Sequence, residues 1–600
     1  MKKWEIISKS PPKADQPMAG KVEDIVKILL ENRGLSTKKD IDLFLNPPDP
    51  AHLTPKDVGL DNDSLSKAIR RIQKAITDKE SIVVYADYDA DGITAGAIMW
   101  EALHSLGASV MPYIPHRVEE GYGLSIKGID AVSAQFDPTL IITVDHGITA
   151  WEKVTYAKEK GIEVIVTDHH VKPDTLPDYT IVHTTRLSGA GVSWFVAKEL
   201  LKGVTGPRPV KKQGEAPSIS DAESLALAAL GTIADLVPLT GPNRSIVKYG
   251  LAAINDTNRV GLVALMTDAG LSRGALDVFA VSHMLAPRLN AMGRLEHAMD
   301  ALRLLCTKQK DKAALLAQKL GMTNRDRQKL TEETVLHAFG VLKGQALAVY
   351  PELAEGEGLA LSKMRKLLFI AHESYNPGVI GLVAGKLMEE YYLPAIVVSI
   401  GEGVSKASAR SIPGFNIVSA IRACSDILID VGGHPMAAGF TVQNSHLEAL
   451  QSRLELLAQK ELTEDMLTRT LKIDAEIPLE FVTDELYKAL QQFQPFGFGN
   501  VEPVFATRTV AIKEARLVGA TGRHLKLRLL PTTNYPSTGS GSRAESRDQL
   551  PTAIDAIAFN LGSLYGKLQN NAIVDLAYTI DMNTWNGSSK LQLKIKDINL

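Results

Sequence analysis

Three carboxylates at alternate positions, Asp87, Asp89 and Asp91, are followed directly by Gly92. Groups so close repel one another unless a cation lies among them. The spacing D-x-D-x-D-G also begins a calcium-binding EF-hand loop, which requires a bidentate acid at its twelfth position. Counted from Asp87, that position is Ile98. The acids instead follow Ser81-Ile-Val-Val-Tyr-Ala86, a short β-branched apolar run that reads as a buried strand. After Gly92, Ile-Thr-Ala-Gly-Ala-Ile-Met-Trp-Glu-Ala-Leu reads as a helix. The acids therefore sit on a strand-to-helix turn, at the edge where open α/β sheets bind ligands.

Three further segments end in the same kind of residue. They are Val144-Asp145-His146-Gly147, Thr167-Asp168-His169-His170 and Gly231-Thr-Ile-Ala-Asp235. If the strands are parallel neighbours, Asp87, Asp89, Asp145, His169 and Asp235 surround one crevice. Oxygen and imidazole ligands without sulfur suit Mn²⁺ or Mg²⁺. More carboxylates than one divalent ion needs suggests two ions sharing a bridging acid. Such a pair, about 3.5–4 Å apart, clamps the attacking and leaving oxygens of a phosphoryl centre. Acids at strand ends are also common as helix N-caps. Four such segments in one chain are hard to explain by capping alone.

The elements that must position these groups alternate. Strand-like runs at 81–86, 140–144 and 163–167 are separated by helical material, which predicts a mostly parallel sheet covered on both faces. Residues 21–79 read as helical, and 204–220, rich in Pro, Gly and Lys, as a surface loop. Residues 297–345 read as a helical connector, and a second α/β pattern follows from about 346 to 462. From 463 to 600 short alternating strands predict an all-β barrel, interrupted by a disordered insertion at 531–551. The expected domains are thus 1–296 with an N-terminal helical region, 297–345, 346–462 and 463–600.

A chain of 600 residues is too long for one core. A net charge of −3 excludes a globally basic coat, so nucleic-acid contact would need local patches. One such patch is 501–530, with six Lys/Arg against two Asp/Glu. Cys306 and Cys424 form no CxxC pair, which excludes a disulfide framework and a thiolate zinc site and suits a reducing cytoplasm. No apolar stretch reads as a signal peptide or a membrane span.

The stretches ADYDADGIT, IPHRVEEGYGL, VDHGI, TDHH, GTIADLVPLTGPNR, PRLNAMGRL, NPGVIGLVAGKL, ARSIPGF, GGHPMAAGF and FQPFGFGNVEPVF resemble, in this order, the DHH phosphoesterase superfamily. The Asp-His-His at 168–170 carries that likeness. The LNAMGR element, the Gly-Gly-His and the C-terminal barrel are similar to the RecJ family of exonucleases within it. The resemblance implies a DHH domain, a second DHHA1-like domain that binds nucleic acid, and an OB-fold-like barrel. It puts the two-metal site on Asp87, Asp89, Asp145, His169 and Asp235, with Asp145 bridging and His170 beside the scissile phosphate. Asp168 supports the same motif, and Asp91 either binds metal or orients the turn. Contacts to the terminal phosphate and backbone fall on Arg117, Arg288, Asn290, Arg294, Ser408, Arg410, Gly432, Gly433 and His434. The chain departs from the family at Asn376, where His is usual, at Ala407 and Ala409 in place of glycines, and at His183-Thr184 in place of Asn-Pro. These changes bear on the shape of the phosphate pocket.

The implied activity is metal-dependent 5′-to-3′ degradation of single-stranded DNA, in recombination and repair, by a cytoplasmic monomer. A helicase and a single-strand-binding protein are partners by resemblance only, and no membrane is involved. The alternatives are a DHH phosphodiesterase for short oligonucleotides or cyclic dinucleotides, and a catalytically silent single-strand-binding scaffold. The long barrel speaks against the first, and the intact metal acids against the second.

Overall fold

The computed structural model describes residues 2–7, 18–117, 119–121, 123–173, 176, 179–202, 221–349, 365–531, 553–568, 572–585 and 588–600. The surface loop expected at 204–220, and all but Pro531 of the insertion expected at 531–551, lie outside the described residues. Two units are present. One comprises Pro48–Pro238 and Pro242–Thr468, the other Met1–Pro47, Leu239–Gly241 and Arg469–Leu600.

The first sheet of the larger unit is wholly parallel. Strands β1 (Ser81–Ala86), β2 (Ser109–Tyr113), β3 (Leu140–Val144), β4 (Glu163–Asp168) and β5 (Thr180–His183) pair in the order β2-β1-β3-β4-β5. Val83, Ile141, Ile142, Ile165 and Val166 are fully buried, as strands covered on both faces require. Helix α1 (Ala90–Ser105) is buried along most of its length because small residues line it. A Cβ on Gly96 would stand 2.9 Å from that of Ala86, so a larger residue would lift α1 off β1. Helices α2 (Gly189–Lys202) and α3 (Asp221–Ala234) pack against α1.

Downstream come helix α4 (Ala286–Leu295), then Met299–Cys306 and the long α5 (Lys310–Val349), across the span expected as a connector. The second sheet contains β6 (Leu368–His372), β7 (Ala395–Ile400), β8 (Val404–Arg410), β9 (Leu428–His434) and β10 (Ala437–Gln443). Its order is β9-β10-β8-β7-β6, parallel only between β6 and β7. Helix α6 (Ile380–Tyr391) packs on β7 and β8. Strand β8 alternates. Ala407 and Ala409 enter a core with Phe369, Ile396 and Phe440, which leaves Ser408 and Arg410 on the opposite face.

In the smaller unit β11 (Phe505–Val518), β12 (His524–Pro531), β13 (Ile554–Ala558), β14 (Ile573–Trp585) and β15 (Ser588–Asn599) follow one another as β11-β12-β13-β15-β14. Strand β14 also pairs with β11 and closes the barrel. The strand Lys3–Ile6 runs parallel to Thr470–Ile473. Helices Met18–Asn32 and Lys38–Leu45 contribute Ile25, Leu29 and Phe44 to the core that holds Leu486, Phe493, Phe505 and Tyr578. This differs from the expected grouping of residues 1–47 with the first domain. Helical periodicity says that a face must be covered, but not by which core. Among the described residues no helix is long and apolar enough to cross a membrane.

Candidate active site

The carboxyl edge of the first sheet gathers the acids. Asp87 follows β1 directly and its Oδ1 accepts the Tyr88 N–H at 2.7 Å. Asp89 is the N-cap of α1, its Oδ1 accepting the amides of Asp91 and Gly92, each at 3.0 Å. Asp91 turns the other way. Its two oxygens accept the Gly189 and Ala190 amides at 2.6 and 2.9 Å, and so cap α2. Asp145, just beyond β3, has φ of +69°, a left-handed conformation that is uncommon outside glycine and concentrates at functional sites. Asp235 follows α3, its amide still bonded to Gly231 in helical fashion.

His169 joins these segments. Its Nε2 lies 3.1 Å from Asp145 Oδ1, 3.5 Å from Asp235 Oδ2 and 3.9 Å from Asp91 Oδ2. Ligand atoms of three overlapping sets approach within 4.8 Å of one another: Asp87, Asp89 and Asp145; Asp145, His169 and His170; Asp91, His169 and Asp235. Glycines make this closeness possible. A Cβ on Gly92 would overlap Asp87, one on Gly189 would overlap Asp145, and one on Gly231 would overlap Thr94 and Asp91.

Burial and mutual repulsion leave the acids short of positive charge. Burial, then the neighbouring Asp89, pushes the Asp87 carboxyl well above the usual range; burial, then Asp91, does the same to Asp145. Burial and the charges of Asp91 and Asp89 push Asp235 up to about 9, and burial and Asp89 push Asp91 up to about 6. His169 is held neutral, down at about 4, by burial and then by His170. Asp145 Oδ1 and His169 Nε2, although 3.1 Å apart, are buried without forming a hydrogen bond to each other or to any other group among the described residues. Crowded carboxylates and an orphaned imidazole nitrogen fit divalent cations, for which oxygen and nitrogen donors are the ligands.

Asp168 does a different job. Its Oδ2 accepts the Ile148 amide at 2.8 Å, and its Oδ1 accepts the His170 Nδ1–H at 2.7 Å. Burial alone would lower the pKa of His170, but the hydrogen bond and charge of Asp168 outweigh it and raise it. The result is an oriented, cation-favouring imidazole at the rim of the acid cluster. The His434 ring, from β9, lies nearly parallel to that of His170 with centroids 6.3 Å apart.

Beside the acids stands a group of arginines. Burial and then the proximity of Arg117, Arg327 and Arg410 bring Arg294 down to about 10, and burial and Arg117 lower Arg410 as well. Arg294 Nη1 donates to the Gly378 carbonyl at 3.1 Å. Arg410 Nη1 donates to the Ala409 carbonyl at 2.8 Å and to Ser408 Oγ at 3.3 Å. Among the described residues, none of these four guanidinium groups forms an ion pair with a carboxylate. Gly381, in the first turn of α6, lies so close that a Cβ would stand 2.9 Å from Ser408 Oγ and 3.2 Å from Arg410 Nη2. A pocket of unneutralised guanidinium groups suits a phosphate.

The other expected contacts are placed as follows. Arg288 is engaged elsewhere, its Nε pairing with Asp268 Oδ2 at 3.0 Å and its Nη1 bonding the Met284 carbonyl at 2.7 Å. Asn290 Oδ1 accepts the Ala90 amide at 2.7 Å and so braces the start of α1. Gly432 is open to approach, whereas a Cβ on Gly433, at φ of +138°, would strike β10. Asn376 Oδ1 accepts the Gly378 amide at 2.7 Å, forming the turn whose carbonyl Arg294 holds. Ala407 and Ala409 point into the core, so these two departures do not line the pocket. Sequence reasoning missed Arg327, because a basic residue on a charged helix reads as solvated surface. It also missed Gly189, although Ser-Gly-Ala-Gly before an apolar helix was a usable signal.

Comparison with known proteins matches residues 81–232 to the DHH family, N-terminal domain, residues 360–460 to the DHHA1 domain, and residues 473–597 to the RecJ OB domain. The chain is 35% identical over 588 residues to the single-stranded-DNA-specific exonuclease RecJ of Bacillus subtilis, covering 96% of this chain and 68% of that protein. It is 33% identical over 537 residues to the protein of the same name from Thermus thermophilus, covering 88% and 72%. A crystal structure of RecJ in complex with Mn²⁺ from Thermus thermophilus superposes with a TM-score of 0.76 at 30% identity, covering 100% of this chain and 79% of that one.

Proposed function

Because the chain belongs to the RecJ family, we propose that its acid cluster and arginine pocket form one machine, which removes nucleotides from the 5′ end of single-stranded DNA. It is a metal-dependent nuclease, with Mn²⁺ or Mg²⁺ as cofactor. Asp87, Asp89, Asp145, His169 and Asp235 would hold the ions. When bound, such ions supply Lewis acidity at a phosphoryl oxygen and lower the pKa of water. His170, oriented by Asp168, offers its imidazolium to the scissile phosphate and can return a proton to the leaving oxygen.

The observation that carries the recognition of a phosphorylated chain end is the unneutralised set Arg117, Arg294, Arg327 and Arg410, with Arg117 close enough to act on Asp87; its 5′ polarity follows the family. A terminal monoester bears about −1.5 to −2 charges, more than the one of an internal diester. The pocket would therefore prefer a chain end. Ser408, the turn at Gly432 and Gly433, and His434 would complete the contacts from the second sheet.

The barrel supports a hold on the strand. Arg516 and Lys526 lie directly opposite one another on β11 and β12, a pairing of like charges that an anionic backbone would relieve. Nearby, Phe559 is exposed, its ring in a T-shaped contact with His524, and an exposed aromatic ring beside basic groups is what a single strand stacks on. A role in recombination and repair fits the family. Cytoplasmic location, a monomeric state, and a helicase and single-strand-binding protein as suppliers of substrate belong to the same proposal. The two free cysteines agree with a reducing compartment.

The test is to incubate the protein and Mn²⁺ with single-stranded DNA labelled at either end, and with duplex DNA. Mononucleotides should leave first from the 5′ end, with duplex resistant. Loss of the 3′ label first would overturn the polarity.

A further inference from the structure

Arg117 occupies the segment between β2 and helix Ile126–Phe136, where the backbone is anchored by Glu120. That carboxylate accepts the His116 amide at 2.8 Å and the Tyr113 hydroxyl at 2.6 Å. The guanidinium itself forms no hydrogen bond or ion pair among the described residues. Arg294 and Arg410 both feel its charge and repel it, while the Asp87 carboxylate attracts it from the acid side. Its aromatic neighbour is Tyr88, whose ring centroid lies 5.1 Å from Cζ of Arg117.

Tyr88 is fixed on both sides. It stands between Asp87 and Asp89 in the metal-binding turn, its amide bonded to Asp87 Oδ1 at 2.7 Å. Against it lies Gly293 of α4, so close that a Cβ there would overlap the Tyr88 carbonyl. The backbone that carries the ring is therefore held in place from both sides. An aromatic face attracts a cation, and burial strengthens that attraction.

We propose that Tyr88 is a positioning residue, a fixed shelf that keeps Arg117 in the pocket against the repulsion of the other arginines. It ties the group that reads the terminal phosphate to the turn that holds the metal. The proposal rests on the reading of the arginine pocket as the terminal-phosphate site. It assigns to Tyr88 a part in end selection, separate from any part in packing.

The test compares wild type, Tyr88→Phe, Tyr88→Leu, Tyr88→Val and Arg117→Ala on single strands carrying a 5′-phosphate or a 5′-hydroxyl, with Mn²⁺. Tyr88→Leu should raise KM for the phosphorylated strand by roughly tenfold, the scale of a partly buried cation–π contact, with a much smaller change in kcat. Tyr88→Phe keeps the aromatic face and should stay within about twofold. Tyr88→Val serves if the leucine variant does not fold. In Arg117→Ala, a further Tyr88→Leu change should have no additional effect on end preference. If Arg117→Ala loses the preference while folded Tyr88→Leu or Tyr88→Val keeps it, the shelf is refuted and the pocket stands. An equal fall in kcat on both strands would mean that Tyr88 only shapes the metal turn, and would also refute it. If Arg117→Ala itself keeps the preference, the reading of the pocket fails, and this inference with it.

Discussion

Asp91 receives the amide of Gly189 at 2.6 Å, and through it the acid-bearing turn after β1 is fastened to the start of α2. The carboxylate needs both oxygens for this, since Ala190 occupies the other at 2.9 Å. In Asp91→Asn one acceptor becomes an NH₂ group that faces a backbone N–H. We predict a loss of about 1–3 kcal/mol in stability, the cost of an unsatisfied buried donor. Denaturant unfolding checks this. An unchanged midpoint would mean that Asp91 does not act as a cap.

Asp145→Asn separates charge from conformation at the acid proposed to bridge the ions. Asparagine tolerates the left-handed backbone at this position, which alanine would strain. The variant should therefore fold and bind DNA, yet lose hydrolysis by several orders of magnitude. Activity within a few-fold of wild type would remove the two-metal assignment.

Stability should depend on pH and metal together. Asp87, Asp145 and Asp235 have folded pKa values raised above the unfolded value of about 3.9. Their contribution is thus fully present below about pH 4 and is lost as pH rises through the folded values, near 9 for Asp235. His146 and His169, held near 4, have the opposite effect, but only up to about pH 6.5. Between pH 7 and 8.5 the carboxylates decide the sign. With EDTA, Tm should fall across that window. With Mg²⁺ the gap to the metal-free protein should widen, because ions bind the deprotonated ligands. Parallel curves would show that no ion is held there.

Gly381→Ala places a methyl group against Ser408 and Arg410, so one of them must move. Preference for 5′-phosphorylated over 5′-hydroxyl strands should fall several-fold, and Arg410→Ala should remove most of it. Competition between differently labelled strands in one tube measures both. Equal discrimination by wild type and Arg410→Ala would place the end sensor elsewhere.

Changing Arg516 and Lys526 together to Gln should flatten the salt dependence of DNA binding. Two phosphate contacts on a single strand correspond to a change of roughly 1.4 in the slope of log K against log salt. An unchanged slope would exclude this face of the barrel from contact.

The clustering of the acids was legible because strand ends are legible. A buried β-branched run terminated by Asp fixes both the location and the edge, and Asp87 and Asp145 follow β1 and β3 as that pattern requires. Other features were hidden for physical reasons. Arg288 resembles a phosphate ligand until Asp268, twenty residues away in sequence, is seen to neutralise it. Ala407 and Ala409 look like changes in the pocket until strand alternation turns them into the core.

The union of Met1–Pro47 with Arg469–Leu600 sets a timetable for synthesis. The helix Met18–Asn32 leaves the ribosome early, but Phe493, Phe505 and Tyr578, which cover Ile25 and Leu29, are made last. At about 5–20 residues per second, the ribosome needs roughly 20–80 s to add residues 48 to 468, and longer to finish the barrel. Throughout that interval a newborn chain displays a greasy helix to the crowded cell. A molecule that ends near 468 would display it permanently, so a fragment cut to carry the acid cluster alone should also start at Pro48.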